Sequence, residues 1–317
     1  MSEPRLGVLI TYYNERELLR ECLQSLLADD RRPHEILIYD DASTYPAEDY
    51  IPSGEDIRVF RGDVNHGPAC GRNILLGASR SDYIHFHDAD DLFDPRWCTA
   101  ITDAIQDRTS DAVFTEVSSY RGGKLECERV LGLEKLLKSR DLVQFALRGA
   151  ILPASGTYRR QNVLAIGGYR EDLWQSEDYD FHIRLAASGI RFMVIGHPLV
   201  TIRVREASRS QNQVEVWESA VQSIRMLATE IDSKYRPELA SRAVLAGSTL
   251  YKAGAHQQAR TAFQLAEELG PPTYEGQRPL YRAIARTLGP VAAERCSSIY
   301  RSLIPNVSRK YLADLGW

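Results

Sequence analysis

Two hydrophobic rhythms alternate along the first two thirds of the chain. "LGVLIT" (6–11), "EILIYDD" (35–41), "IRVFR" (57–61), "YIHFH" (83–87) and "DAVFTEV" (111–117) are short apolar runs, of the length expected for strands buried on both faces. Between them the period lengthens. From Glu15 onward Leu18, Cys22 and Leu26 recur every four residues beside Leu19, Leu23 and Leu27, which makes one wide helical stripe. "GPACGRNILLGAS" (67–79) reads as a glycine-opened helix with Pro68 at its start. Pro95 to Asp107 reads as another, with Trp97, Ile101, Ala104 and Ile105 on one face. Shorter elements follow, ending in a helix over about 178–188 and a strand pair through "RFMVIGHPLVTIRVR".

Strands alternating with helices predict an α/β fold, a mostly parallel sheet with helices on both faces. Ligands of such sheets lie at the carboxyl ends of the strands. The polar clusters fall there: "TYYNE" after the first strand, "DDAS" after the second, "DADD" after the fourth. Beyond residue 212 the pattern is helical, which divides the chain into an α/β domain over 1–210 and a helical accessory domain over 211–317. "GSTLYKAGAHQQARTAFQLAEELGPP" (247–272) has the spacing of one tetratricopeptide-like repeat, and equally that of a plain helical hairpin. Residues 271–317 hold seven Lys/Arg against three Asp/Glu, so this tail fits either a solvated helix or a peripheral contact with an anionic membrane face.

Charge and cysteine content narrow the classes. A net charge of -4 gives no general attraction to nucleic acid. The five cysteines are scattered without metal-ligand or redox spacing, as suits a reducing compartment. With no basic start followed by an apolar core, and no apolar run of bilayer length, the expectation is a cytoplasmic protein.

The chemistry concentrates in "YIHFHDADDLFDP" (83–95). If the strand persists, Phe86, Asp88 and Asp90 share one side while His85, His87 and Ala89 share the other, so the histidines should not join the aspartates on one ion. Two aspartates at i, i+2 offer hard oxygen ligands for Mg²⁺ or Mn²⁺, with substrate phosphates completing the shell. An Asp-x-Asp alone is a weak signal, since loop and cap positions take such triplets more often than metal sites do.

In context it is more specific. "VLITYYNERELLRECLQSLL", "EILIYDDAS", "NHGPACGRNILLGASRSDYIHFHDADD" and "GGYREDLWQSEDYDFHIRLAASG" follow one another as in the family 2 glycosyltransferases, which this chain resembles over roughly residues 5–205. The resemblance implies a GT-A type, Rossmann-like fold and inverting sugar transfer from a nucleotide-sugar to an acceptor hydroxyl on a glycan, lipid or protein. It places Thr11, Tyr13 and Glu15 along the nucleotide pocket. Asp41 would meet the uracil ring, with Arg72 near the base and diphosphate. Asp88, followed by Ala89, would face the ribose, and Asp90 would bind the divalent cation, Mn²⁺ or Mg²⁺. Asp178 resembles the catalytic base, with Glu177 holding the acceptor and "SGTYRR" (155–160) shaping the floor. Trp174 is a candidate to stack on a sugar, and equally a plain surface or core aromatic.

Asp178 also fits a helix start, where Ser176 would cap and the helix dipole would lower the carboxyl pKa, keeping it ionised. One departure stands out. Many relatives carry a "YRxH" histidine after the base that helps bind metal or diphosphate. Here "IRVR" puts Arg205 in that place, where a guanidinium can pair with the diphosphate directly. His197 is nearby but out of position. A dinucleotide-binding oxidoreductase would need a Gly-x-Gly-x-x-Gly turn, which "TYYNER" lacks. A nucleotidyltransferase would need a glycine- and lysine-rich first loop. The alternative from another class is an inactive nucleotide-sugar-binding scaffold that presents its helical arm to protein partners.

Overall fold

The computed structural model describes residues 3–149, 151–205, 212–271 and 279–303. They form two compact units, 1–211 and 212–317. The parts of the basic tail within 272–278 and 304–317 lie outside the described residues.

In the first unit the apolar runs become strands: β1 (Leu6–Tyr12), β2 (Glu35–Asp40), β3 (Ile57–Arg61), β4 (Tyr83–Asp88) and β6 (Ala112–Arg121). The helical stripes become α1 (Glu17–Leu26), α2 (Pro68–Ala78) and α3 (Trp97–Ile105). α1 starts later than its periodicity suggests. Asn14 and Arg16 take left-handed backbone angles, φ 63° and 53°, and hold the chain in a loop before the helix. A short β5 (Leu92–Phe93) follows β4, and β7 (Lys124–Cys127) hairpins back onto β6. Then come α4 (Glu134–Ser139), α5 (Leu142–Arg148), β8 (Gly156–Arg159), α6 (Arg160–Ala165), α7 (Glu177–Ala187) and β9 (Phe192–Val204).

The strand order is β3-β2-β1-β4-β8-β6-β9-β5. β1, β2, β3 and β4 pair in parallel, as do β6 and β9, while β8 runs antiparallel between β4 and β6. One apolar core joins Val8 and Ile10 of β1 to Leu19, Cys22 and Leu23 of α1 and to Trp97 and Ile101 of α3. The expected strand pair over 192–205 is instead a single strand. β9 stays beside β6 throughout, with a register shift in which Thr115 faces Ile195 but Glu116 faces Pro198. Gly196 and His197 fall in that shift as a bulge, so the break in hydrophobic pattern bends a strand instead of turning it. β9 also pairs with β5, which follows β4 by only a few residues. The sheet therefore curls, and the turn after β4 is brought against the end of β9.

The second unit is helical, with α8 (Gln213–Glu230), α9 (Arg236–Lys252), α10 (His256–Leu269), α11 (Pro279–Leu288) and α12 (Pro290–Leu303). α9 and α10 approach closely at Gly247, where an added Cβ would lie 2.5 Å from the Phe263 ring. Among the described residues no helix is long and apolar enough to cross a membrane.

Candidate active site

β1 and β4 lie side by side and parallel, so their carboxyl ends open together. Thr11 sits opposite Asp88 across the pair and donates its hydroxyl to Asp88 Oδ1 at 3.1 Å. The chain then turns: the Ala89 N–H bonds the Thr11 carbonyl, and the Asp91 N–H folds back onto the Asp88 carbonyl, each at 3.1 Å. Because β4 stops at Asp88, this turn, and not strand alternation, directs Asp90.

Up to Asp88 the alternation holds. His85 packs 4.6 Å from Trp97 and His87 stacks on Phe93 at 3.8 Å, while Phe86 meets Tyr169 and Phe181 on the opposite face. Burial drives the basicity of His85 well down and that of His87 to about 4, so both rings stay neutral in the core.

Arg72 connects two distant segments. Its guanidinium, on α2 and only 3% exposed, donates to Asp88 Oδ1 at 2.8 Å and to Glu177 Oε1 at 2.9 Å. It also lies 5.1 Å from the centre of the Tyr169 ring. One buried cation thus ties the turn after β4 to the first residue of α7. Burial works against the charged form of Asp88, but the Arg72 guanidinium outweighs it and holds this carboxyl below the usual range. Glu177, the candidate acceptor holder, is committed to Arg72 in this structure.

Asp178 follows Glu177 and has the opposite character. Ser176, in a left-handed conformation at φ 58°, makes no side-chain capping bond, and Asp178 Oδ1 instead accepts from the Tyr179 N–H at 2.7 Å. The expectation of a dipole-lowered pKa is overturned. Burial, reinforced by the neighbouring Glu177 charge, pushes the Asp178 carboxyl up to about 7 against the pull of Arg72. Loss of solvation outweighs the partial charge of a helix end. As a whole residue Asp178 is partly exposed.

Beneath it lies a neutral relay that sequence reading missed. His182 Nδ1 donates to the Asp178 carbonyl at 2.6 Å, and its Nε2 accepts from the Tyr158 hydroxyl at 2.7 Å. A carbonyl can only accept, and burial lowers His182 to about 3, so the tautomer follows. The i, i+4 spacing of Asp178 and His182 was a visible signal, because such residues share a helix face. Tyr158 belongs to "SGTYRR", whose strand β8 lies between β4 and β6.

Asp90 forms an ion pair with Arg205 at the end of β9. Burial, and then the nearby Asp88 charge, raise its proton affinity, and Arg205 opposes both. Glu15 belongs to the same electrostatic group. Burial pushes it up to about 7, Asp90 adds to the shift and Arg205 subtracts from it, while its carboxylate accepts from the Tyr13 N–H. Tyr13 itself is half exposed at the rim. Asp41 is buried and accepts from the His66 and Gly67 N–H groups at 2.9 and 2.8 Å, which fixes the loop leading into α2. Trp174, half exposed, stands over that loop: a Cβ on Gly67 would lie 3.3 Å from its ring.

The donor set fits a hard divalent cation. Asp88 and Asp90 offer only oxygen, Arg72 and Thr11 both use Asp88 Oδ1, and Asp90 already holds a cationic group. Among the described residues no group of three or more His, Cys, Asp or Glu side chains could hold a metal ion.

Residues 7–166 match the sequence profile of Glycosyl transferase family 2. The chain belongs to that family. It is 28% identical over 201 residues to the pre-mycofactocin glycosyltransferase of Mycobacterium tuberculosis, a match covering 60% of this chain and 41% of the relative. It is 31% identical over 215 residues to the uncharacterized glycosyltransferase EpsJ of Bacillus subtilis, covering 63% and 61%. The chain thus spans less than two thirds of either relative. Among solved structures, S. aureus TarS 1-349 in complex with UDP-GlcNAc superposes with a TM-score of 0.71 at 17% identity, covering 94% of this chain and 92% of that one. The mannosyltransferase PcManGT from Pyrobaculum calidifontis, in complex with GDP-Man and Mn²⁺, superposes at 0.59 and 18%, covering 96% and 88%. This family 2 glycosyltransferase therefore has the GT-A fold.

Proposed function

We propose that the first unit transfers a sugar, with inversion, from a UDP-sugar to a hydroxyl of a glycan, lipid-linked or protein-linked acceptor, and that the helical unit is accessory. The observation that carries this reading is Arg72, which joins Asp88 on the donor side to Glu177 beside the candidate base. Through it the two acidic segments are held together.

Asp178 takes the acceptor proton as the new glycosidic bond forms. Its affinity near neutrality suits a general base better than an ordinary carboxylate would, and such a group contributes on the order of a hundredfold or more. With one base and no enzyme nucleophile, the anomeric carbon inverts. Tyr158 and His182 hold the helix start rigid without adding charge. Asp41 orients the uracil while keeping its loop bonds, since each carboxylate oxygen has a second lone pair. Thr11, Tyr13, Glu15 and Ala89 line the nucleotide side. Asp88 and Asp90 would hold Mn²⁺ or Mg²⁺, which when bound supplies Lewis-acid neutralisation of the departing diphosphate. The UDP-GlcNAc of the TarS complex supports a uridine carrier, and the GDP-Man and Mn²⁺ of PcManGT support a cation.

The test is turnover of radiolabelled UDP-, dTDP- and GDP-sugars in Mn²⁺ or in EDTA. Mn²⁺-stimulated release of sugar from a UDP donor is expected. Nucleotide binding without turnover of any donor would leave a scaffold in place of an enzyme.

A further inference from the structure

The Asp90–Arg205 ion pair does more than fill a gap. Asp90 is largely buried, at 17% exposure, whereas Arg205 keeps 41% of its side chain in solvent. The turn that presents Asp90 is pinned to the strand that presents Arg205. Asp91 Oδ1 accepts from the Arg203 N–H at 2.9 Å, and Asp94 N–H bonds the Leu199 carbonyl at 2.9 Å. Arg72 is buried, with both terminal nitrogens committed to carboxylates, and Arg203 is bonded to Glu21 at 2.6 Å. Of these arginines, the one on Asp90 has the long solvent-exposed stem needed to leave its partner.

We infer that Arg205 is a latch on Asp90, occupying the cation-binding carboxylate until a divalent cation and the nucleotide diphosphate arrive together. The inference rests on the proposed function and deepens it. A divalent cation entering alone must displace a guanidinium into the same pocket, which gathers positive charge. A diphosphate entering alone meets Asp88, Asp90 and Glu15, which gathers negative charge. Arriving together, the two neutralise each other, and Arg205 exchanges a carboxylate for a phosphate oxygen, a partner its planar fork fits equally well. A neutral histidine in that place could ligate a cation from the start. An arginine cannot ligate at all, so this chain makes cation binding conditional on nucleotide.

Mn²⁺ binding read by the loss of free-ion EPR signal tests the latch on the full chain without any turnover. Wild type should take up Mn²⁺ weakly alone and at least about tenfold more tightly with UDP. R205A and R205Q should bind Mn²⁺ alone at least about tenfold more tightly than wild type, and adding D90N to either should abolish the gain. Circular dichroism would confirm that the variants are folded, and R205Q, which keeps most of the side-chain volume, guards against a packing defect. Equal Mn²⁺ affinity with and without UDP in wild type would overturn the latch, as would metal-only affinity unchanged in both variants. The metal-only arm needs no nucleotide, so its failure is separable from failure of the donor assignment, which UDP titration in EDTA reads independently.

Discussion

Asp88 and Asp178 carry the same side chain under opposite electrostatic regimes, the first bonded to Arg72 and the second beside Glu177, which Arg72 also holds. Asp88 touches the Arg72 guanidinium directly and accepts a hydroxyl bond from Thr11, so its charge is locked in. Asp178 feels Arg72 only from a distance, sits beside a second carboxylate and titrates near neutrality. The contact of one arginine, and not residue identity, divides a carboxylate held charged from one that binds a proton near neutrality. In the proposed reaction a permanent anion would suit the donor side, where cations gather, and an adjustable one the acceptor side, where a proton must be taken up.

The sharpest way to break that contrast is to neutralise its second member. Asp178→Asn should lower kcat by at least about a hundredfold while UDP affinity, followed by titration calorimetry, changes little. Comparable loss of both would remove the base assignment. The same variant carries a stability signature. Asp178 binds its proton more tightly when folded than when unfolded, where its pKa is about 3.9, so native stability falls as pH rises through the window up to about 7. Asp178→Asn should therefore melt higher than wild type at pH values above that window and gain little below it.

Removing the shared arginine attacks both members together. Arg72→Ala strands Asp88 and Glu177 against protein, and breaking such buried pairs costs about 3 kcal/mol, near the low end because Asp88 keeps part of its surface in water. Urea unfolding should show a reduced midpoint, and Arg72→Lys should recover only part of it, since an ammonium cannot fork between two carboxylates. A milder probe leaves the covalent structure intact. With Asp178 required as the anion, log(kcat/KM) should climb about one unit per pH unit below the Asp178 pKa of about 7 and level off above it. A flat profile through that range would place the titrating group elsewhere. The smallest effect is expected outside both carboxylates. Trp174→Ala should raise the acceptor KM roughly fivefold, the worth of about 1 kcal/mol of aromatic contact, with melting unchanged. A donor KM effect instead would reassign this ring to the loop at Gly67.

Much of this arrangement was legible in the chain. Each parallel strand from β1 to β4 shows in its apolar run, and the motif order identifies the family, because strand and helix periodicity and short motifs are local properties. Other features were not. A single strand with a bulge at Gly196 and His197 looks like two strands when only the interrupted pattern is seen. Ser176 resembles a cap by residue type, yet it takes a left-handed conformation and makes no side-chain capping bond, while Asp178 accepts from the Tyr179 N–H. His182 was within reach of helical spacing, but the hydroxyl that completes its relay comes from a different strand.

The amino-acid order by itself determined which segments are strands and helices, where the polar clusters fall relative to strand ends, and which side chains of β4 share a face. Side-chain alternation and helical repeat depend on neighbours a few residues away, so one dimension carries them. Only the tertiary structure decided that Arg72 spans from Asp88 to Glu177, that β9 curls round to set Arg205 on Asp90, and that the Asp178 carboxyl is pushed up to about 7 instead of being lowered. Those outcomes depend on how much water is removed from each carboxylate and which distant cation replaces it. Desolvation and Coulomb terms act through space and leave no periodic trace along the chain.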